Sequence, residues 1–239
     1  MTSPSSVTEM FDGIAGSYDV LNHRLSFGID RIWRRRTSRL VAKHHPANIL
    51  DVATGTADLA IRMAKDNPET SITGVDLSTE MLTIGQRKIN QSKLSERIRL
   101  LTADATSMPF SDGSFDVVTA AFGVRNFTDR EAGLCEMARV CRNNGLVAVL
   151  EFSHPTSILV KGTYRWYSRH LIPTIGRKVS KHPSAYTYLP TSVEAFPSAK
   201  VFKSMMEQAG INDIQSITFS GGIATLYYGY VLKNAVSSQ

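Results

Sequence analysis

Asn48-Ile-Leu-Asp51-Val-Ala-Thr-Gly55-Thr56-Ala-Asp58 is the stretch on which the fold turns. Its first six residues form a short apolar run, as expected of a buried strand, and Gly55 supplies a turn. Leu59, Ile61, Met63 and Ala64 then predict a helix that stops before Asn67-Pro68. The alternation continues outward. Ser71 to Asp76 reads as a second strand. Ser78 is the expected N-cap of a helix carrying Met81, Leu82, Ile84 and Ile89, with Glu80 and Met81 in its first turn. Ile98 to Leu101 and Phe115 to Thr119 read as strands three and four. Thr128 or Asp129 caps a helix to about Cys141, which Asn143-Asn144-Gly145 is expected to end, and Leu146 to Glu151 is strand five. Continuous apolar strands alternating with helices predict a parallel sheet covered on both faces, a doubly wound α/β fold.

The last third reads differently. Lys200 to Gly210 predicts a helix with Gly210 as its stop. Ile214 to Phe219 and Ala224 to Leu232 predict an antiparallel pair joined through Gly221-Gly222. Between strand five and that helix lie Ser153 to Ala199, rich in Tyr, Pro, His and basic residues. A connection of that length is usually functional. The chain is thus read as a single domain over 1–239. It has an N-terminal helical lid (1–44), a binding core (45–152), a basic and aromatic insertion (153–199), and a C-terminal helix with a hairpin (200–239).

Composition narrows the class. The chain has 239 residues, of which 42% are hydrophobic and 20% charged, which suits a globular protein with a full core. Cys135 and Cys141 give no disulfide framework, and the histidines lack ligand spacing, so no metal site is expected. The N-terminus has no signal-peptide core and no run approaches a membrane span, so a reducing, cytoplasmic setting is expected. The net charge is +6, and it is uneven. From Arg31 to Lys43 there are six basic residues and no acid, and His154 to Lys203 holds eight basic residues and one acid. Such stretches are either solvated faces or the footprint of an anionic partner.

The chemistry lies after the strands, where open α/β sheets bind ligands. A dinucleotide site would want Gly-x-Gly-x-x-Gly, and a P-loop would want a lysine; this loop has one glycine and neither pattern. A nucleoside without phosphates fits. Asp51 would attract a cationic amine, and Thr56 offers a hydroxyl and an N–H. Asp76 lies 21 residues after Gly55, near the offset of a ribose-binding acid. Asp104 can accept from an adenine amine while the Ala105 N–H donates to the ring. One acid after a strand says little; an acid after each of three successive strands marks one sheet edge as a site.

These segments, with Met108-Pro-Phe110 and Asp112-Gly-Ser-Phe-Asp116, resemble the motifs of class I S-adenosylmethionine (SAM)-dependent methyltransferases. Tyr18-Asp-Val-Leu-Asn22, Ser26-Phe-Gly-Ile29, Trp33, Phe122-Gly-Val-Arg-Asn126, Glu151-Phe-Ser153 and Tyr186-x-Tyr-Leu189 resemble the menaquinone/ubiquinone biosynthesis C-methyltransferases. The resemblance implies a Rossmann-like, mostly parallel seven-stranded sheet with an antiparallel C-terminal strand. It implies SAM contacts at Asp51, Gly55, Thr56, Asp76, Leu77, Asp104 and Ala105. It also implies methylation of a prenylated quinol ring carbon, demethylmenaquinol first and the ubiquinone-pathway benzoquinol as the alternative. The family loop commonly carries glycine where this chain has Ala57, so a left-handed backbone is not expected there.

A ring carbon accepts a methyl only when the phenol beside it has shed part of its proton, and a free phenol titrates near about 10. Arg125 is the expected cation for that oxygen, with Asn126 on the other ring oxygen and Tyr18 and Asn22 lining the substrate site from the lid. If Arg125 were merely structural, Asp129 or Asp116 would be its partner. Lys161 to Lys181 interleaves aromatic and basic residues, which suits peripheral docking on an anionic membrane at the inner face of the plasma membrane. A nucleic-acid partner is not expected, because Phe-Gly-Val-Arg-Asn stands where base-modifying enzymes often carry Asn/Asp-Pro-Pro-aromatic. A homodimer is left open.

Overall fold

The computed structural model describes residues 4–153 and 184–233. The expected docking segment Lys161 to Lys181 lies outside the described residues. Two helices lead, α1 (Pro4–Leu25) and α2 (Ile29–Ala42). The alternating unit follows: β1 (Asn48–Val52), α3 (Asp58–Asp66), β2 (Ser71–Asp76), α4 (Thr79–Gln91), β3 (Ile98–Thr102), β4 (Phe115–Ala121), α5 (Arg130–Val140) and β5 (Cys141–Phe152). A short 3-10 turn, Val124–Asn126, sits between β4 and α5. The chain closes with α6 (Ser184–Glu194), α7 (Ala199–Gln208), β6 (Ile211–Phe219) and β7 (Ala224–Val231). Among the described residues, no helix is long and apolar enough to cross a membrane.

The seven strands form one sheet in the order β3-β2-β1-β4-β5-β7-β6. Strands β1 to β5 run parallel, and β7 lies antiparallel between β5 and β6. The mostly parallel sheet with an antiparallel C-terminal strand is therefore observed. β1 neighbours β2 on one side and β4 on the other, so the winding reverses there, and a crevice opens at the carboxyl ends of these strands.

Side-chain alternation divides the core between the two faces. Leu50, Val52, Val118, Ala120, Val147 and Val149 pack with Leu134 and Met137 of α5 and Phe202 and Met206 of α7. Ile49, Ile72, Val117, Leu146, Ala148 and Leu150 pack with Trp33 and Val41 of α2, Leu59 and Met63 of α3 and Ile89 of α4. Ser78 caps α4 by accepting from the Met81 N–H at 3.1 Å, and Asp129, rather than Thr128, caps α5 through the Ala132 N–H at 3.0 Å. Each such cap contributes about 1 kcal/mol. Gly210, at φ 85°, follows α7 as expected.

The segment Asn143-Asn144-Gly145 departs from expectation. Helix α5 ends at Val140, and residues from Cys141 onward already belong to β5. The chain takes up the slack in a bulge, with Cys141 opposite Phe115 and Leu146 opposite Val117. Asn144 adopts φ 59°, so the turn-forming residues kink a strand instead of ending a helix.

Candidate active site

A cavity of about 1160 Å³ opens over the carboxyl ends of β1, β2, β3 and β4. The loop after β1 forms its floor, and the loop's shape comes from hydrogen bonds placed by β1 and β4. Asp51, at the buried centre of β1, accepts from the Thr54 hydroxyl at 2.7 Å and from the Thr119 hydroxyl of β4 at 2.7 Å. Burial pushes its carboxyl up to about 6, against the pull of those two hydroxyls. Asp51 lines the cavity, but its Oδ2 also holds the loop and its Oδ1 is tied to β4.

The chain then takes left-handed conformations at Ala53, Gly55 and Ala57, at φ 51°, 54° and 64°. Ala57 thus corrects the sequence expectation. A left-handed alanine costs roughly 1–2 kcal/mol. Its methyl is wholly buried in the core with α3, and that burial offsets part of the strain. At Gly55 an added Cβ would meet nothing within 4 Å, so glycine serves there for its φ. At Gly123 the reason is space, since a Cβ would lie 2.4 Å from the Ala53 Cβ.

Asp76 ends β2 and clamps the same loop. Its Oδ2 accepts from the Gly55 N–H at 2.8 Å and its Oδ1 from the Ser78 N–H at 2.9 Å. Burial raises its carboxyl above the usual range, and the amides of Ser78, Gly55 and Leu77 oppose the rise. Leu77 stands beside it, 44% exposed, on the cavity wall. Asp104 and Ala105 follow β3 and also line the cavity. Asp104 Oδ1 accepts from the Thr106 N–H and hydroxyl, both at 2.8 Å, which leaves Oδ2 outside that turn. The structure therefore gathers Asp51, Gly55, Thr56, Asp76, Leu77, Asp104 and Ala105 on one wall, as the sequence expects.

Helix α1 crosses the opening and presents Phe11 and Tyr18 to the cavity. Polar contacts fasten it. The Ser78 hydroxyl donates to Asp12, the Thr56 hydroxyl donates to Asp19, and the Lys88 ammonium bridges Asp19 and Asp58. The Thr56 hydroxyl, expected to face a cofactor, is thus spent on α1. Asn22 does not line the cavity. It hydrogen-bonds the Tyr18 side chain, whose hydroxyl burial raises above the ordinary phenol value against the pull of Arg125 and Arg34.

At the other end stand Arg125 and Asn126, on the 3-10 turn after β4. Arg125 is 6% exposed, and its partner is neither Asp129 nor Asp116. Asp129 caps α5, while Asp116 accepts from the Ala47 and Asn48 amides and pairs with Arg142. Arg125 instead pairs with Glu151 of β5 at 2.8 Å. Glu151 is fully buried and also accepts from the N–H groups of Arg125 and Phe152, at 3.2 and 2.9 Å. Arg125 donates further to the Phe122 carbonyl, and the Phe152 ring lies 5.3 Å from its guanidinium carbon. Burial works against its charge, and Glu151, with Tyr18 and Tyr188, more than restores it. The expected free cation is therefore half of a neutral pair. What it can offer a ligand is directed N–H groups, and its Nε is buried without a hydrogen-bond partner.

Tyr188, on α6, donates to Asn126 Oδ1 at 3.0 Å, so the Asn126 amide keeps its N–H donors for other partners. Phe11 meets the rings of Tyr18 and Tyr188 edge-on, at 6.0 and 6.3 Å. Arg34 of α2 reaches the cavity too, paired with Asp30 and lying over Phe122 at 5.1 Å. Sequence reasoning had the motifs containing Glu151 and Tyr188 but assigned neither a role, and it read Arg34 only as part of a charge run. No local pattern places β5, α6 and α2 around one turn.

One wall thus carries acids suited to a nucleoside, and the other carries hydrogen-bond donors and aromatic rings. A profile of the ubiE/COQ5 methyltransferase family matches residues 2–231. The chain is 46% identical over 224 residues to a ubiquinone/menaquinone biosynthesis C-methyltransferase of Citrifermentans bemidjiense, covering 93% of this chain and 95% of that one. It is 42% identical over 221 residues to a demethylmenaquinone methyltransferase of Bacteroides fragilis, covering 92% and 90%. Among solved structures, the [4+2]-cyclase SpnF aligns with a TM-score of 0.67 at 18% identity, over 97% of this chain and 98% of that one. A SAM-dependent methyltransferase from Aquifex aeolicus aligns with a TM-score of 0.59 at 17% identity, over 82% and 89%. At such identities the structures speak for the fold alone, and a cyclase among them shows that the fold does not fix the chemistry. The sequence relatives do more: matched along nearly its whole length, the chain belongs to the ubiE/COQ5 methyltransferase family.

Proposed function

We propose that this chain methylates a ring carbon of a prenylated quinol with SAM as donor, taking demethylmenaquinol to menaquinol and releasing S-adenosylhomocysteine. The observation that carries the reading is the two-ended cavity. The acid-lined wall suits a nucleoside with ribose hydroxyls, an exocyclic amine and a cationic tail. The free Oδ2 of Asp104 suits the amine, Asp76 the ribose, and Asp51 the positive charge. SAM supplies a methyl already activated by its sulfonium. A new ring C–C bond forms as the C–S bond breaks, and the ring then loses its proton.

This chain's part is to position and to polarise. The Nε–H of Arg125 and the Asn126 amide donate to the two quinol oxygens, which favours the electron-rich form of the ring. Because Glu151 balances Arg125, the pocket welcomes a neutral quinol and stabilises its developing oxyanion by directed hydrogen bonds. The aromatic side chains Phe11, Tyr18 and Tyr188 enclose the ring and keep water from the acceptor carbon. The deciding assay supplies methyl-labelled SAM with reduced demethylated naphthoquinone, with the matching benzoquinol, and with RNA. Label in the naphthoquinol is expected. Label confined to RNA, or to none of the three, would overturn the reading.

A further inference from the structure

Among the described residues, three cationic side chains line the cavity: Arg34, Arg125 and Arg130. Two of these charges are cancelled, Arg34 by Asp30 and Arg125 by the buried Glu151. Arg130 forms no ion pair among the described residues. Residues 1–3, 154–183 and 234–239 contain no Asp or Glu that could supply one. Its chain neighbours Asp129 and Glu131, and Glu194 of α6, are exposed, and Asp129 is turned to the Ala132 amide. The acceptor end of the cavity therefore carries one uncancelled positive charge, five residues beyond the arginine that the sequence points to.

Nothing in the local structure uses that charge. Arg130 is the first residue of α5, where a cation opposes the positive end of the helix dipole. Its Nη2 donates to the Arg125 carbonyl at 3.2 Å, and its guanidinium carbon lies 6.0 Å from the Phe196 ring. These contacts fix the side chain beside Arg125. Its Nε is buried without a hydrogen-bond partner, so the guanidinium is partly withdrawn from water with a donor unspent. The charge is felt inside the site: burial raises the Tyr188 hydroxyl, and Arg125 and Arg130 pull it back.

We propose that Arg130 is a further catalytic residue, the cation against which the acceptor's ring oxygen becomes an oxyanion; this rests on the quinol reading. Arg125 and Arg130 then divide the work. Arg125, balanced by Glu151, offers directed N–H groups without net charge, and Arg130 adds the charge. The quinol enters neutral, its hydroxyl gives its proton to water, and the oxyanion settles against Arg130. A C–C bond to the methyl then forms as the C–S bond breaks. Ring anion and sulfonium disappear together, leaving a neutral dienone and a neutral thioether. The dienone loses the proton on the methylated carbon, and its oxygen regains one. The charge of Arg130 is matched only while the oxyanion exists, so its contribution falls on that state and not on substrate or product.

The test uses the full chain and a water-soluble naphthol blocked at the acceptor carbon, whose phenol and phenolate absorb at different wavelengths. Bound to wild type with S-adenosylhomocysteine present, it should ionise at least about tenfold more readily than in water, where a phenol titrates at about 10. The other ionisable groups at this end are Tyr18 and Tyr188, both raised by burial, and the Arg125–Glu151 pair, so the naphthol is the group that titrates. Arg130→Gln should remove most of the gain, and Arg130→Lys, which keeps the charge, should retain most of it. On quinol, Arg130→Gln should lose at least about tenfold in kcat near neutral pH, and the loss should shrink as rising pH ionises the quinol unaided. SAM affinity should stay near wild type, which also shows that the variants fold. Equal ionisation of the naphthol in wild type and Arg130→Gln would overturn the proposal. So would equal losses in Arg130→Lys and Arg130→Gln, since the shape of the side chain and not its charge would then matter. If the naphthol ionises as expected but no quinol is methylated, the quinol reading fails and Arg130 stands as the binding site of a phenolate oxygen.

Discussion

Replacing Glu151 with glutamine keeps the shape of the side chain and deletes the charge, and its one oxygen still accepts from the Phe152 amide and Arg125 Nη1, as Oε1 does, while the Arg125 amide loses its acceptor Oε2. The pair it breaks is enclosed, with Arg125 at 6% exposure and Glu151 at 0%. Removing one partner of such a pair leaves an uncompensated buried charge, which costs about 3–5 kcal/mol. The retained oxygen puts Glu151→Gln at the lower end, about 3 kcal/mol in urea unfolding. Adding Arg125→Met removes the stranded guanidinium, and most of that stability should return, because a buried pair replaced by apolar groups is often neutral. Turnover should separate from stability. Both variants should lose at least about tenfold in kcat, since neither presents a correctly held Arg125, while SAM affinity by calorimetry stays near wild type. Two results would refute the reasoning: Glu151→Gln as stable as wild type, or Arg125→Met deepening the loss instead of reversing it.

Three further outcomes follow from the other wall. Asp76→Asn keeps one acceptor for the loop amides but loses the charge, and should weaken SAM binding about tenfold, as hydrogen bonds to charged groups contribute roughly 1.5–3 kcal/mol; unchanged affinity by calorimetry would remove Asp76 from the site. Burial pushes the Asp51 carboxyl up to about 6, so a cationic ligand should bind more weakly as the pH falls below that value, and Asp51→Asn should flatten the profile. The sign for stability runs the other way: with the folded value raised above 3.8, this carboxyl favours folding most at low pH, and that contribution is lost as the pH rises toward 6. Gly123→Ala puts a Cβ 2.4 Å from that of Ala53 and should cost about 1–3 kcal/mol in thermal or urea unfolding, with SAM affinity falling as the strained loop shifts.

Much of the nucleoside wall was legible in the sequence because each of its residues sits where a strand ends. Strands are read from apolar runs, and the sheet places the carboxyl ends of β1, β2 and β3 side by side, so Asp51, Asp76 and Asp104 meet without detailed packing. Ala57 misled because the loop takes up its strain from core burial, a term that no local propensity contains. Asn143 to Gly145 misled for a related reason: pairing with β4 recruits turn-forming residues into a bulged strand.

The sequence by itself determined the strands, the helices between them from β1 to β5, the parallel sheet and the acids at its edge, since hydrophobic period, caps and strand ends are local properties. Only the tertiary structure decided the acceptor wall. Arg125 and Glu151 are 26 residues apart, and Asn126 and Tyr188 are 62 apart. Their pairing depends on β5 lying beside β4 and on α6 returning over the 3-10 turn. The same holds for the charge on Arg125. Sequence gives its type, but whether a cavity feels a cation or a neutral pair depends on which carboxylate is buried against it, because a charge in a low-dielectric interior is balanced by its nearest neighbour.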